Sequence, residues 1–372
     1  MTGAAATQFA SDNYAGICPE AWAALAAANA GHAGAYGADD WTAAAVAALQ
    51  RTFETDCSVW FVFNGTAANA LALAAICRPS DAIVCHEMAH VNVDECGAPG
   101  FFSGGAVLRT ADTPHAKLTP EAVERLAVTP HDEHSSRPRA LALTQATELG
   151  TVYTPLELWQ LADCAHGLGM KVQLDGARFA NAVATLDCAP ADISWRAGAD
   201  VLCLGGTKNG LPFGEAILIF DPALADEFAR RRKQGGQLAS KMRFLAAPWT
   251  AVLEGDAWLA HARHANAMAA RLAAAIADAP GARLLAPVEA NGVFVDLPAP
   301  VIAALHARGW HFYPFVGETG VRLMCAWDTA PATVDALATD VRELALAHAA
   351  EAPKGIRRRP RGSPPPTTKE TP

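Results

Sequence analysis

From Ser58 onward, short apolar runs rich in β-branched and aromatic residues alternate with alanine- and leucine-rich stretches of about 10–15 residues. SVWFVF leads into AANALALAAIC, and DAIVC leads into HEMAH. PRALALTQAT precedes TPLELWQLADCAHGLG, and MKVQLD precedes GARFANAVATLD. ADVLCLGG runs through TKNGLPFG to EAILIF. Strands this continuously apolar, separated by helices, predict an α/β fold with a mixed, mostly parallel sheet covered on both faces. Further helices are expected near residues 20–30, after the capping pair Asp39-Asp40, near 223–234, and from about 240 to 278. After about residue 280 the pattern changes. GARLL, NGVFVDL, HFYPF and GVRLMCAW read as strands, with helices at APVIAALHARG and TVDALATDVRELALAHA. The expected organisation is an N-terminal arm at 1–18, a large α/β domain at 19–255, a small α+β domain at 256–350, and a disordered tail at 351–372.

Of the 372 residues, 51% are hydrophobic and 18% charged, which suits an ordered globular protein. There is no run of about 18 consecutive apolar residues, which argues against a membrane span. The first seven residues lack a basic and an apolar region, so no secretory leader is expected. The net charge of -9 is unevenly spread. From Lys354 on there are six basic residues and one acidic, leaving 23 basic and 37 acidic residues, or -14, in residues 1–353. An acidic body disfavours a nucleic-acid surface, and the Pro-rich basic end reads as a solvated tail. The nine cysteines lie singly in apolar segments with no C-x-x-C pair. They are expected to be buried free thiols of a cytoplasmic protein.

Several polar residues interrupt the apolar pattern. Lys208 sits in Gly205-Gly206-Thr207-Lys208-Asn209-Gly210, straight after a strand. Glycines let the backbone close around it, and desolvation of the amine would make it nucleophilic, as a Schiff-base lysine requires. Asp175 ends MKVQLD, at the strand edge where open α/β sheets place ligands. Alone it reads as a helix cap; together with Lys208 it fits a pyridoxal-phosphate site, where a carboxylate holds the pyridine nitrogen. Asn64-Gly65-Thr66-Ala67 lies between a strand and a helix, so its amides could cradle a phosphate.

His86-Glu87-Met88-Ala89-His90 matches the H-E-x-x-H pattern of zinc peptidases. A long helix is blocked by Gly97, Pro99 and Gly100, and no third ligand is evident. The alternative is that His90 stacks on a flat cofactor ring. Arg178, three residues past Asp175, and Arg322, within the apolar run GVRLMCAW, are placed either to grip a substrate carboxylate or to form ordinary salt bridges.

In this order and spacing, these segments resemble the L-threonine aldolases, the low-specificity branch of the β-eliminating lyases within fold-type I pyridoxal-phosphate enzymes. The likeness runs from Ser11-Asp12-Asn13 to about residue 345 and includes Tyr36-Gly37-Ala38-Asp39, Gly65-Thr66, Ala89-His90, Asp175-Gly176-Ala177-Arg178, Thr207-Lys208 and Val321-Arg322-Leu323. It implies retro-aldol cleavage of L-β-hydroxy-α-amino acids to glycine and an aldehyde. Lys208 would carry the cofactor covalently, Asp175 would pair with the ring nitrogen, and His90 would stack on the ring. Gly65, Thr66 and Ala67 would hold the phosphate, with Thr207 beside Lys208. Ser11, Arg178 and Arg322 would bind the substrate carboxylate. A homodimer or homotetramer with shared sites is implied, to which Tyr36 or the loop KQGGQLASK could contribute. One departure is Thr147-Glu148-Leu149-Gly150, where many members of the family have a histidine. Glu148, His90 or a water is then the candidate base. Another pyridoxal-phosphate lyase or transaminase would share most of this pattern.

Overall fold

The computed structural model describes residues 7–128 and 133–351. The basic tail lies outside them, apart from Glu351. Seven strands form the main sheet: β1 (Ser58–Val62), β2 (Asp81–His86), β3 (Val107–Ala111), β4 (Arg137–Thr144), β5 (Lys171–Gly176), β6 (Val201–Leu204) and β7 (Glu215–Ile219). Their order is β1-β7-β6-β5-β4-β2-β3, and only β7 runs against the rest. Successive strand residues face opposite sides. On β6, Leu202 and Leu204 pack with Leu158, Phe179 and Leu245, while Val201 and Cys203 pack with Leu71 and Phe228. Both faces of the sheet are therefore covered, as its apolar strands require.

Local chemistry starts the helices. Thr154 and Glu157 form a reciprocal capping box, with Pro155 opening the helix Pro155–Gly167. Asp39 accepts the amide of Thr42 at 2.8 Å and caps Asp40–Thr52, as expected. The helical stretch expected from 240 to 278 is instead two helices, Arg243–Glu254 and Ala257–Ile276, broken where Asp256 takes φ 54°. Strand β3 has no counterpart in the expected elements. It is an edge strand, and only Ala111 of it is fully buried, so its pattern is weak.

A second sheet holds β8 (Arg283–Leu284), β9 (Gly292–Asp296), β10 (Tyr313–Val316) and β11 (Gly320–Met324), all antiparallel, in the order β10-β11-β9-β8. It packs against the helices Ala257–Ile276, Ala299–Ala307 and Pro331–Glu351. The N-terminal segment is stitched onto this unit. Phe9 donates its amide to His311 at 2.7 Å, accepts that of Met324 at 2.8 Å, and is fully buried beside Trp310. Burying that ring contributes about 2–3 kcal/mol toward fixing the segment. No helix among the described residues is long and apolar enough to cross a membrane.

Candidate active site

The loops that follow the carboxyl ends of β1, β2, β5 and β6 surround one cavity of about 260 Å³. Of the expected residues, Lys208, Thr207, Asp175, His90, Gly65 and Thr66 line it. Ala67, Glu148, Ser11, Arg178, Arg322 and Tyr36 do not.

Lys208 is held by the loop's tight approach to its neighbours. A Cβ on Gly205 would stand 2.6 Å from the carbonyl oxygen of Ala177 and 2.7 Å from its Cα, so only glycine fits. Buried Glu215 of β7 pins the same loop, accepting from Gly206 N at 2.6 Å and Thr207 Oγ1 at 2.7 Å. The Thr207 hydroxyl therefore serves the loop. Burial, then the nearby Arg178 charge, lowers the Lys208 pKa, with Asp12, Asp175 and Glu215 opposing.

Asp175 is buried, and accepts from Asn69 Nδ2 at 2.7 Å and Ala177 N at 2.9 Å. The same Asn69 nitrogen donates to Glu95 Oε1 at 2.8 Å, and that oxygen lies 2.8 Å from His90 Nδ1. Gln173 Nε2 donates to Asn69 Oδ1 at 3.0 Å, which fixes the amide's orientation. Glu148 stands behind His90. Its Oε1 accepts from the His90 backbone amide at 3.0 Å and from Thr144 Oγ1 at 2.7 Å. Burial raises its pKa to about 6.

The phosphate cradle is narrower than expected. The helix Gly65–Ile76 is capped by Asn64, whose Oδ1 takes the amide of Ala67 at 2.9 Å. Ala67 thus has no amide to offer, while Gly65 and Thr66 keep the first-turn positions facing the cavity. Lys233, Lys241 and Arg243 do not line the cavity, and the Lys233 ammonium instead lies 5.3 Å from the ring centre of exposed Tyr36.

The carboxylate-binding set is partly engaged within the chain. Arg178 makes a two-pronged pair with buried Asp12, Nε to Oδ2 at 2.7 Å and Nη2 to Oδ1 at 2.9 Å. Ser11 caps the turn Asp12–Tyr14 through the amide of Asn13. Arg322 Nη2 reaches the carbonyl of Ala10 at 3.0 Å and the Tyr313 hydroxyl, while its Nε is buried without a partner.

The H-E-x-x-H helix does not form. His86 ends β2 and its Nδ1 accepts the amide of Met88, while His90 begins a separate helix of only four residues, His90–Val93. The two histidines do not share a helix face, which removes the zinc-peptidase geometry. Asp12, Asn69, Glu95 and Glu215 escaped the sequence reading as site residues. Asn69 in AANALALAAI and Glu215 at the head of EAILIF carried a signal as polar residues within apolar elements, whereas Asp12 and Glu95 sit in a turn and a loop.

The donor set fits pyridoxal phosphate: an amine of lowered pKa, a fixed carboxylate and an open helix N-terminus line one cavity. A family model described as Beta-eliminating lyase matches residues 8–300. The chain is 58% identical over 335 residues to a low specificity L-threonine aldolase from Pseudomonas aeruginosa, covering 90% of this chain and 97% of the relative. It is 55% identical over 335 residues to a relative of the same description from Pseudomonas sp., with the same coverage. The solved structure of a threonine aldolase from Leishmania major matches with a TM-score of 0.85 at 29% identity, covering 91% of this chain and 99% of that one. The sheet and its helices are the fold-type I architecture.

Proposed function

The chain belongs to the beta-eliminating lyase family, and from that premise we propose a carbon–carbon lyase that uses pyridoxal 5'-phosphate. Its substrates are L-threonine, L-allo-threonine and related L-β-hydroxy-α-amino acids such as phenylserine, cleaved to glycine and an aldehyde. The observation that carries this is the placement of Lys208, Asp175 and the Gly65-Thr66 helix end around one cavity.

The bound cofactor supplies an electron sink for the pair released as Cα–Cβ breaks. The chain supplies alignment and proton handling. Burial and the Arg178 charge keep more of the Lys208 amine neutral and able to attack. Asp175, fixed by Asn69 and Ala177, would pair with the ring nitrogen, and His90 would stack on the ring. Gly65 and Thr66 would hold the phosphate, with Thr207 at the lysine loop. Arg322 would bind the substrate carboxylate beside Arg178, which Asp12 orients. His90 takes the β-hydroxyl proton, and Glu148 holds the His90 backbone for that task.

The enzyme works in the cytoplasm as a homodimer or homotetramer. Two observations support this: nine unpaired cysteines, six of them buried, and Tyr36, 53% exposed and outside its own chain's cavity. The test is purification with cofactor, followed by assay of glycine and aldehyde from L-threonine. Visible absorbance that borohydride fixes to Lys208, with equimolar glycine and acetaldehyde, is the expected result. Keto acid and ammonia instead would make it another pyridoxal-phosphate enzyme.

A further inference from the structure

The geometry points to Glu95 as the residue that positions the proton of His90, with Asn69 tying the pair to Asp175. This rests on the reading of the cavity as a retro-aldol site. Glu95 is buried, and its Oε1 receives two contacts at 2.8 Å, one from His90 Nδ1 and one from Asn69 Nδ2. Its Oε2 is buried without a hydrogen-bond partner among the described residues, so its bonding runs through Oε1 to His90 and Asn69. A carboxylate at this distance holds the proton on Nδ1 and leaves Nε2 as the nitrogen that exchanges one.

The charged groups facing His90 are few. Exposed Asp94 lies 3.7 Å from Nε2, Asp175 and Lys208 act through the cavity, and Glu148 meets only the backbone amide. The bond to Glu95 is the largest influence on the ring and raises its proton affinity against burial. Glu95 itself is shifted upward, chiefly by burial, with the bond from His90 opposing, so the two groups titrate as a coupled pair. Asn69 makes the arrangement a relay. Its two amide hydrogens go to Glu95 and to Asp175, so the carboxylate meant for the ring nitrogen and the one behind His90 hang on a single side chain. In turnover His90 Nε2 accepts the β-hydroxyl proton, one proton is returned at Cα, and the cycle is proton-neutral.

Glu95→Gln, which keeps the shape and removes the charge, is compared with Glu95→Asp, which keeps the charge. The holoenzymes are followed by histidine-labelled NMR, with His90→Gln assigning the resonance, and by pH profiles of kcat and KM. Glu95→Gln is expected to lower the His90 midpoint by about one pH unit or more. It should cut kcat at neutral pH roughly 10- to 100-fold, leave KM within about threefold and retain the cofactor absorbance. Glu95→Asp should recover part of both the midpoint and kcat. A His90 midpoint unmoved in Glu95→Gln overturns the proposal, as does an aspartate variant worse than the glutamine one, which would mark a packing role. If the wild-type protein made no glycine from L-threonine, the retro-aldol reading would fall, while the His90 titration would still report on Glu95.

Discussion

The pair between Asp12 and Arg178 makes a sharp prediction, because it joins the N-terminal segment to the main sheet through groups that water scarcely reaches. The Asp12 side chain is 0% exposed and that of Arg178 14%. Asp12→Asn keeps the shape and removes the charge, leaving the guanidinium without its counter-ion. Breaking such a buried pair from one side costs about 3–5 kcal/mol. At roughly 2 °C per kcal/mol for a chain of this size, Tm should fall by roughly 6–10 °C. Asn291, which donates to Asp12 Oδ2 at 3.0 Å and to the Cys325 carbonyl at 2.7 Å, loses only part of its bonding. Arg178→Met in the same chain removes the stranded charge, so the double variant should lose less than the sum of the singles. Acid sharpens the test. Burial alone would raise the Asp12 pKa, but the Arg178 and Lys208 charges, with bonds from Arg178 and Asn291, hold it below the ordinary range. The pair's contribution is therefore complete above the unfolded aspartate value of about 3.9 and is lost as pH falls through the lower folded value. Thermal unfolding of the four proteins between neutral pH and strong acid measures this. A fall of under about 2 °C for Asp12→Asn, or strict additivity in the double variant, would refute a buried, coupled pair.

Lys208→Ala should abolish turnover, and mass spectrometry after borohydride should find no cofactor mass on the polypeptide. Gly205→Ala forces a Cβ to within 2.6 Å of the Ala177 backbone. It should cost about 1–3 kcal/mol in thermal unfolding and weaken cofactor absorbance, and wild-type behaviour in both would count against the tight loop. Glu148→Gln should stabilise the protein above neutral pH. The folded-state value of about 6 lies above the ordinary carboxylate one, so ionising Glu148 works against folding at high pH, by about 2 kcal/mol. The gain should shrink as pH drops through 6 and vanish below about 4.5, and a pH-independent Tm difference would contradict it.

The legible parts of the sequence were those where one local signal sufficed. Strand β6 is apolar throughout and β5 is buried from Val172 to Gly176, and Asp39 and Thr154 announce their helices by capping chemistry. Strand β3 was missed because an edge strand with one fully buried residue shows no period. HEMAH looked helical because its spacing suits a helix, yet β2 runs through Cys85 to His86 and takes the first histidine into the sheet. In the site, Lys208 and Asp175 stood out at strand ends. Their partners did not, since Asp12 and Arg178 are 166 residues apart, Asn69 and Asp175 106, and Asn69 and Glu95 26. A buried polar residue announces that it needs a partner, but only the fold says which one.

Those partners bear on the lysine itself. Burial pushes the Lys208 ammonium toward the neutral amine, and the Arg178 charge pushes it further. Asp12, Asp175 and Glu215 pull the other way. Each of these carboxylates has a second attachment, to Arg178, to Asn69 and to Gly206 with Thr207, respectively. The opposing charges are thus held by groups other than the amine they tune, and none bonds to it closely enough to lock it as an ammonium. Asp12 matters most, because it is the direct counter-ion of Arg178. Removing it strips one attractive charge from beside Lys208 and leaves the repulsive one uncompensated, so both changes move the lysine the same way, toward an amine that is neutral at still lower pH.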